Sequence, residues 1–214
     1  MENSFYTPSE VIKSNIKSAV AKANLPLAKM ILLGMMAGAF IAFGGAASSV
    51  AAHGVADVGL ARSIAGAIFP VGLILVVFTG SELFTGNSLM IMAVIDKKIT
   101  LLKMIRNLVV VYFANFIGAL IIDVLVFLSG QFDFSGGGLG AYTIKVALAK
   151  TSIAPVTAVI SGILCNIIVC LAIVLAGTAK DSIGRIFGIF FPIAAFVVCG
   201  FEHCVANMFY VPAG

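Results

Sequence analysis

Two short segments of the chain share one polar pattern, although each lies inside a long apolar stretch. They span residues 80–87 and 200–207, and both read GxExxx(G/A)N, where x is any residue. An ionisable group inside a membrane-spanning stretch is costly and by default marks a functional site. The recurrence therefore predicts a site that is built twice, from two related halves of one chain.

The composition predicts an all-α integral membrane protein. Hydrophobic residues make up 61% of the chain, charged residues make up 10%, and the mean hydropathy is +1.17. Apolar runs as long as these are typical of membrane-spanning helices rather than of soluble cores. We predict five spans, at about residues 28–52, 64–95, 104–129, 153–178 and 185 to the end of the sequence.

The distribution of basic residues predicts the orientation of these spans. Three of the thirteen lysine and arginine residues fall on one side, at Arg62, Lys145 and Lys150. The other ten fall on the opposite side, at Lys13, Lys17, Lys22, Lys29, Lys97, Lys98, Lys103, Arg106, Lys180 and Arg185. We therefore expect a cytoplasmic N-terminus in a multi-pass protein of the cell (plasma or inner) membrane. The net charge of +4 then reflects topology, and no stripe of aromatic and basic residues predicts nucleic-acid binding.

Residues 1–26 are predicted to form a cytoplasmic amphipathic helix ahead of the first span. Thr7 is placed as the N-cap, Pro8 as the first helical residue, and Glu10 as the partner that completes a capping box. An apolar face flanked by lysines follows. A helix of this kind lies on the membrane surface, so we expect an interfacial anchor, with a gating role as the alternative.

The rest of the chain is predicted to form two units of three helices each. Residues 27–130 form the first repeat, with a broken helix at 80–87, and residues 131–150 form an extracytoplasmic loop whose glycine run is a turn. Residues 151–214 form the second repeat, which is broken at 200–207. Three crossings per unit place the units in opposite orientations, an inverted repeat typical of channels and transporters. The second unit lacks its third helix, so we expect either a sixth helix outside this sequence or an unusually short protein.

The breaks predict both structural polar groups and an electrostatic preference. A broken helix frees backbone amides and carbonyls, which must face protein or water inside a bilayer. Glu82 and Glu202 are expected to accept the freed N–H groups. The second half-helices begin near Thr85 and Val205, so their positive dipole ends would meet at the centre and favour an anion there. The other structural positions of the breaks are Gly80, Asn87, Gly200 and Asn207.

His203 is predicted to be the first functional residue, because it lies inside the second break and its side chain titrates near physiological pH. The alternative is a neutral histidine bonded to Glu202 or to a freed carbonyl. Thr85, in the first break, is expected to orient the imidazole or contact a permeant ion, or else to serve as an N-cap. Asn115 and Asn166, in neighbouring spans, are predicted to hydrogen-bond between helices.

Cysteines near the histidine raise an alternative from another functional class. A membrane metal or redox protein would use His203 together with Cys199 and Cys204. However, these spacings match no standard zinc or redox pattern, and a buried cysteine usually behaves as a small hydrophobic residue. We therefore expect no metal and no other cofactor.

Taken together, these residues resemble the formate/nitrite transporter family. The resemblance rests on ELFTGN at 82–87, GFEH at 200–203 and ANM at 206–208, and it runs along the whole sequence. It implies an aquaporin-like inverted repeat of three plus three transmembrane helices, broken in helices 2 and 5. It also implies a homopentamer in the lipid bilayer, in which each protomer is a pore for small monovalent anions and not an enzyme. The chain departs from the family by stopping before the sixth helix.

The same resemblance implies roles for individual residues. His203 becomes the central pore histidine, Thr85 the threonine that faces it, and Lys150 a basic residue that draws anions toward the outer mouth. Glu202 and Asn166 become polar partners of the pore. The apolar constrictions above and below the histidine are expected at Phe69, Leu73, Leu83, Phe84, Val169 and Phe196.

Three anions of weak acids are candidate substrates for such a pore. Hydrosulfide is slightly favoured by the overall resemblance, formate comes next and nitrite third. Because a bare charge crosses an apolar ring at high cost, we expect the ion either to take up a proton or to be polarised by His203. A proton-coupled secondary transporter of formate or nitrite is therefore the alternative to a channel.

Overall fold

The computed structural model describes residues 5–214, and these residues form eleven α-helices and two short 3₁₀ turns. The 3₁₀ turns are Ser88–Met90 and Gln131–Asp133. The helices are α1 (Pro8–Ala23), α2 (Leu27–Ala52), α3 (Val58–Ile68), α4 (Val71–Thr79), α5 (Phe84–Asn87), α6 (Ile91–Ile95), α7 (Leu101–Leu128), α8 (Gly138–Thr151), α9 (Pro155–Thr178), α10 (Ser182–Cys199) and α11 (Cys204–Tyr210).

Five of these segments are long and apolar enough to cross a membrane, which confirms the predicted number of spans. They are α2, α3 with α4, α7, α9 and α10. The second span begins at Val58, earlier than predicted, because Asp57 caps α3 by accepting a hydrogen bond from the Leu60 N–H at 2.7 Å. The fifth begins at Ser182, where Asp181 caps α10 in the same way.

Close contact between α2 and α7 forms the centre of the first unit. A side chain at Gly38 would strike the backbone of Asn115, and one at Gly118 would strike the backbone of Met35. Small residues at such crossings let helix backbones approach closely inside a bilayer. In the second unit α9 packs against α10, which corresponds to the packing of α2 against α4 in the first unit, and α10 also packs against α3.

Both predicted breaks are present, but they are shorter than the shared motif. Gly80 ends α4 and Gly200 ends α10, each in the left-handed conformation with φ of 69° and 74°. Only three residues separate each glycine from the next helix, so Asn87 and Asn207 lie within helices and not in the breaks. The polypeptide after the first break is also interrupted, because the 3₁₀ turn separates α5 from α6. This shortens the helix dipole that was expected at Thr85.

Helix α1 starts as predicted, and part of its apolar face packs against the protein. The Thr7 N–H and hydroxyl both lie 2.7 Å from Glu10 Oε2, and the Thr7 hydroxyl accepts from the Glu10 N–H at 3.4 Å. Its buried residues Ala19 and Ala23 form one cluster with Met90, Ala93 and Ile99. Ile12, on the same predicted face, is exposed, so the interfacial anchor stays a prediction for the first half of α1.

The segment predicted as an extracytoplasmic loop contains a helix. Gly136 and Gly137 adopt positive φ values of 64° and 86°, as the predicted turn requires. Helix α8 begins directly after them at Gly138 and runs to Thr151. The glycine run thus separates a 3₁₀ turn from a helix, and the last turn of that helix contains Lys150.

Candidate functional site

A cluster of lysine, glutamate and asparagine side chains lies at the first break. Lys22 Nζ lies 3.0 Å from Glu82 Oε1 and donates to Asn87 Oδ1 at 2.7 Å. The Asn87 amide donates to Glu82 Oε2 at 2.7 Å and to Asn107 Oδ1 at the same distance. Glu82 and Asn87 are 3% and 1% exposed, so the cluster is a buried polar network in which opposite charges are paired.

The second break has a similar cluster. Lys150 Nζ lies 2.8 Å from Glu202 Oε2, and the Asn207 amide donates to the same oxygen at 2.7 Å. In both clusters the lysine comes from a short helix, α1 or α8, that precedes a long span. Lys22 precedes the first residue of α2 by as many positions as Lys150 precedes the first residue of α9.

The two glutamates do not satisfy the freed backbone N–H groups, which corrects the sequence-based expectation. The Glu82 N–H donates to the Leu33 carbonyl at 3.1 Å, and the Glu202 N–H donates to the Ser161 hydroxyl at 2.9 Å. The carboxylates are bound instead by lysine and asparagine side chains. A charged amino group satisfies a buried carboxylate more completely than a neutral N–H does.

Asn115 binds two polar backbone groups of the first break and a carbonyl of α2. Its Oδ1 accepts from the Phe84 N–H at 2.9 Å, and its amide donates to the carbonyls of Gly34 and Glu82 at 2.7 and 2.9 Å. The residue is fully buried. The predicted hydrogen bonding between helices is present, and it also holds the break in place.

The two breaks meet at a contact between Thr85 and His203. Thr85 Oγ1 lies 3.1 Å from His203 Nε2, and both residues are buried. His203 Nδ1 accepts the Ala206 N–H at 3.0 Å, which makes His203 the N-cap of α11. Because Nδ1 is an acceptor, the ring proton of a neutral His203 lies on Nε2 and is donated to the Thr85 hydroxyl.

Both alternative roles for these two residues are wrong. His203 is bonded neither to Glu202 nor to a freed carbonyl, since its partners are the Ala206 N–H and Thr85. Thr85 is not an N-cap, because Leu83 occupies that position of α5 and makes no capping bond. The residue aligned with His203 in the first repeat is therefore a leucine that cannot cap.

Two cavities lie near this contact, one with His203 in its lining and the other with Leu83 and Gly86, which are neighbours of Thr85 in the sequence. The Lys22 vestibule has a volume of about 490 Å³ and is lined by Lys22, Leu73, Glu82, Leu83 and Asn87, among others. The Lys150 vestibule has a volume of about 570 Å³ and is lined by Phe69, Lys150, Phe196, Glu202, His203 and Asn207, among others. Each vestibule therefore combines charged side chains with apolar ones.

Apolar side chains form the walls between the vestibules and the contact. Phe69 and Phe196 pack edge to face with ring centroids 5.7 Å apart, and Phe196 stacks on His203 at 5.8 Å. Leu73 and Leu83 are 1% and 2% exposed in the Lys22 vestibule. Two of the predicted constriction residues thus line each vestibule.

Three other predicted pore residues lie outside both cavities. Val169 is buried in the core, and Phe84 packs against Tyr112 with ring centroids 5.1 Å apart. The Asn166 amide donates to Ser88 Oγ at 3.1 Å, whereas its Oδ1 accepts no hydrogen bond from residues 5–214. Their side chains line neither vestibule in this structure.

The structure gives no support to a metal centre at His203. Both ring nitrogens already have hydrogen-bond partners, and Cys199 is exposed. Among residues 5–214, no three histidine, cysteine, aspartate or glutamate side chains are grouped closely enough to hold an ion. The redox alternative therefore has no ligand set in the part of the chain that the structure describes.

Comparison with known proteins agrees with this arrangement. The family model described as "Formate/nitrite transporter" matches residues 9–214. The chain belongs to the formate/nitrite transporter family. A "Probable formate transporter" from Methanothermobacter thermautotrophicus is 40% identical over 232 residues, which cover all of this chain and 85% of the relative. The "Formate channel FocA" of Haemophilus influenzae is 39% identical, over 97% of this chain and 74% of the relative.

Solved structures of the family share the fold. A "Pentameric formate channel with formate bound" superposes with a TM-score of 0.80 at 35% identity, over 87% of this chain and 74% of that chain. An "FNT family ion channel" superposes with a TM-score of 0.83 at 29% identity, over 94% and 81%. The relatives are named as channels and transporters, which confirms that this family member is a membrane transport protein and not an enzyme.

Sequence reasoning missed Lys22 as a site residue, because it was counted only as a sign of topology. Its matched spacing to Lys150 ahead of the following span was the signal that could have identified it. The contact of the Lys150 ammonium with the Tyr210 ring, at 5.3 Å from the centroid, was also missed. Asp123 is buried in α7, and nothing in residues 5–214 hydrogen-bonds to its carboxyl group or explains its presence.

Proposed function

We propose that the protein is a pore for small monovalent anions of weak acids, with His203 at its centre. The observation that carries the proposal is the Thr85–His203 contact, which lies between two vestibules that each contain a lysine. The names of the relatives favour formate as the first substrate, ahead of the hydrosulfide that the sequence resemblance placed first. Hydrosulfide and nitrite are the alternative substrates.

The vestibules concentrate the anion before it reaches the narrow part of the pore. Lys22 and Lys150 have side chains that are 27% and 18% exposed, so each ammonium is partly desolvated and its attraction is screened less than that of a surface lysine. The paired glutamate holds each lysine in place but cancels part of its charge. An anion that enters therefore exchanges water for lysine N–H groups at modest cost.

The apolar walls require the charge of the ion to be reduced before it crosses. Phe69 and Phe196 on one side, and Leu73 and Leu83 on the other, offer no hydrogen bonds to a bare anion. Transfer of an unpaired charge into such surroundings is far costlier than transfer of the neutral acid. Protonation, as in HCOO⁻ + H⁺ → HCOOH, produces a neutral acid whose free energy of transfer through the apolar walls is lower than that of the anion.

The geometry of His203 favours water as the immediate proton source. A neutral imidazole that gave up its Nε2 proton would become an imidazolate, which is unfavourable near neutral pH. A doubly protonated ring would have to release the Ala206 N–H bond that caps α11. The Thr85 hydroxyl, which accepts the His203 Nε2–H, therefore polarises the substrate with its own O–H group while the proton comes from solvent.

Assembly and orientation complete the proposal. The chain forms a homopentamer in the cell membrane, as a solved relative is named, and each protomer contains its own pore. The uneven distribution of lysine and arginine supports an orientation in which the N-terminus, α1 and the Lys22 vestibule face the cytoplasm. The Lys150 vestibule then opens outward.

The test is uptake of formate, hydrosulfide and nitrite into proteoliposomes that contain the full-length protein, at several pH values. We expect at least one anion to enter much faster than in protein-free liposomes, and His203→Ala to change the rate or its pH dependence. Thr85→Ser, which keeps the hydroxyl, should transport better than Thr85→Val. If no anion moves faster than in empty liposomes, the anion-pore proposal is wrong.

Electrical recording separates the two mechanisms that the pore allows. A current carried by the anion indicates a channel for the charged form. Electroneutral uptake with one proton per anion indicates passage of the acid, as in the proton-coupled alternative. The same measurement on His203→Asn tests the source of the proton, because an amide retains an N–H donor but cannot be a proton carrier.

A further inference from the structure

The two vestibule lysines are held by different partners. Lys22 Nζ is shared between two oxygens, Glu82 Oε1 at 3.0 Å and Asn87 Oδ1 at 2.7 Å. Lys150 Nζ has one oxygen partner, Glu202 Oε2 at 2.8 Å, and lies 5.3 Å from the centroid of the Tyr210 ring. A ring face attracts an ammonium electrostatically but uses none of its N–H groups in a directed bond to oxygen.

The sequence of the repeats accounts for this difference. When Gly80 is aligned with Gly200, Tyr210 falls opposite Met90. Met90 is 1% exposed and packs in the cluster beneath α1, so it offers no aromatic face to Lys22. In the first repeat the lysine ammonium therefore hydrogen-bonds to Asn87, whereas in the second the lysine ammonium lies over the Tyr210 ring.

A short hydrogen-bond chain fixes the orientation of Tyr210. Ser48 Oγ lies 2.8 Å from the Gly45 carbonyl and 3.0 Å from the Tyr210 hydroxyl. Serine has one proton, which goes to the carbonyl, so Tyr210 must donate its own proton to Ser48 Oγ. Ser48 is 2% exposed, and the ring is thus held from α2 with its face toward Lys150.

The asparagines at the two breaks differ as a consequence. Asn87 Oδ1 accepts from Lys22, but Asn207 Oδ1 accepts no hydrogen bond from residues 5–214. Both asparagines donate their amide to the glutamate of their own cluster at 2.7 Å. The position of the ammonium is therefore the feature in which the two clusters diverge.

We propose that Tyr210 is a positioning residue that keeps Lys150 over its ring and away from Asn207, so that the Lys150 ammonium remains available to an entering anion. This inference rests on the anion pore proposed above. It makes the Lys150 vestibule the stronger anion site of the two, because the Lys22 ammonium is already bound by two oxygens. Without the ring, Lys150 turns to Asn207 and adopts the arrangement of Lys22.

The experiment measures the apparent KM for formate in right-side-out and inside-out vesicles that contain the full-length protein. Tyr210→Met, which introduces the residue of the first repeat, should raise the apparent KM by roughly threefold to tenfold for entry from the Lys150 side. The apparent KM for entry from the Lys22 side should stay within about twofold of the wild-type value. Tyr210→Phe, which keeps the ring, should lie close to wild type.

A matched control and a double-variant cycle distinguish positioning from general packing. Tyr6→Met removes a ring that lies at the same 5.3 Å from another lysine, Lys180, and should change neither KM. In a Lys150→Met background, Tyr210→Met should have no further effect on the KM, because there is no ammonium to position. An equal increase in both backgrounds, or on both sides, overturns the inference.

The experiment also distinguishes failure of the anion-pore proposal from failure of the role given to Tyr210. Wild-type protein that moves neither formate, hydrosulfide nor nitrite refutes the anion pore itself, whereas transport with an unchanged KM in Tyr210→Met refutes only the role of the tyrosine. If Tyr210→Met does not fold, Ser48→Ala releases the ring from α2 and should raise the KM from the Lys150 side by a smaller factor. An unchanged KM in Ser48→Ala with folded protein also counts against the inference.

Discussion

The two breaks of this protein have the same charged cluster but differ in how the following helix begins. At the first break, Leu83 precedes α5 and makes no capping bond, and Asn115 from α7 accepts the Phe84 N–H instead. At the second break, His203 caps α11 with its own side chain and contacts Thr85 with the other ring nitrogen. The glutamate and asparagine of the charged cluster thus recur at both breaks, whereas the capping histidine of the second break is replaced by a leucine in the first.

Removing Asn115 should have the largest effect on stability. It also distinguishes the two breaks, because an amide accepts a backbone N–H at the first and a hydroxyl accepts one at the second. Asn115→Leu leaves the Phe84 N–H without an acceptor inside the bilayer. We therefore expect the free energy of unfolding to fall by about 3 kcal/mol or more. Ser161→Ala removes the one hydroxyl that accepts the Glu202 N–H and should cost about 1 kcal/mol. The resistance of detergent-solubilised protein to heating measures both, and equal losses would contradict the difference described here.

Charge removal within the clusters should have the next largest effect and should be unequal. Glu82→Gln leaves the Lys22 ammonium without its carboxylate partner. Because the Glu82 side chain is only 4% exposed, we expect the free energy of unfolding to fall by about 2 kcal/mol. Glu202→Gln should cost less, because that side chain is 14% exposed and Lys150 keeps the Tyr210 ring. Asp96→Asn, on an exposed turn, is the control, and thermal stability in detergent is the measurement.

Substituting His203 tests how much its capping bond to α11 contributes to stability. His203→Leu introduces the aligned residue of the first repeat, removes the cap of α11 and should destabilise the protein by about 1 kcal/mol. Asparagine is a good N-cap, so His203→Asn should retain most of that stability. Equal stability of the leucine and asparagine variants would show that the capping bond contributes little. Heating curves of the purified variants provide the comparison.

The smallest expected effect concerns α1, the helix that supplies Lys22. Hydrogen bonds from the Thr7 backbone and hydroxyl lower the pKa of Glu10 below its ordinary value of 4.5. Its contribution is complete above that ordinary value and is lost as the pH falls through the lowered pKa. Hydrogen exchange of the first turn of α1, corrected for the intrinsic rate, should therefore increase only at acid pH. In Glu10→Gln, exchange should already be faster near neutral pH.

Sequence reasoning predicted the number of spans and the place of both breaks, because apolar length and the repeated glycine, glutamate and asparagine are local signals. It misplaced the partners of Glu82 and Glu202, since Lys22 and Lys150 come from other helices and only packing brings them together. It also missed α8, because a helix that begins within a run of three glycines and has no side-chain N-cap has no local start signal.

The pairing of Thr85 with His203 was expected because the two residues lie in the matching breaks of the repeats, and the family resemblance implies the same pairing. Their distance of 3.1 Å depends on both repeats being packed in place. The start of α1 was predicted from its capping box, but its packing against other parts of the protein was not. Its apolar face is short, and the side chains that cover it, such as Met90 and Ala93, lie far along the sequence.

The origin of the Lys22 cluster sets an order for biosynthesis. Its members come from α1, from the first break, and from Asn107 near the start of α7. A ribosome makes Lys22, Glu82 and Asn87 before it makes Asn107. The complete polar network at the first break can therefore close only after synthesis has reached α7, and until then the Asn87 amide lacks the Asn107 oxygen that accepts its second hydrogen bond.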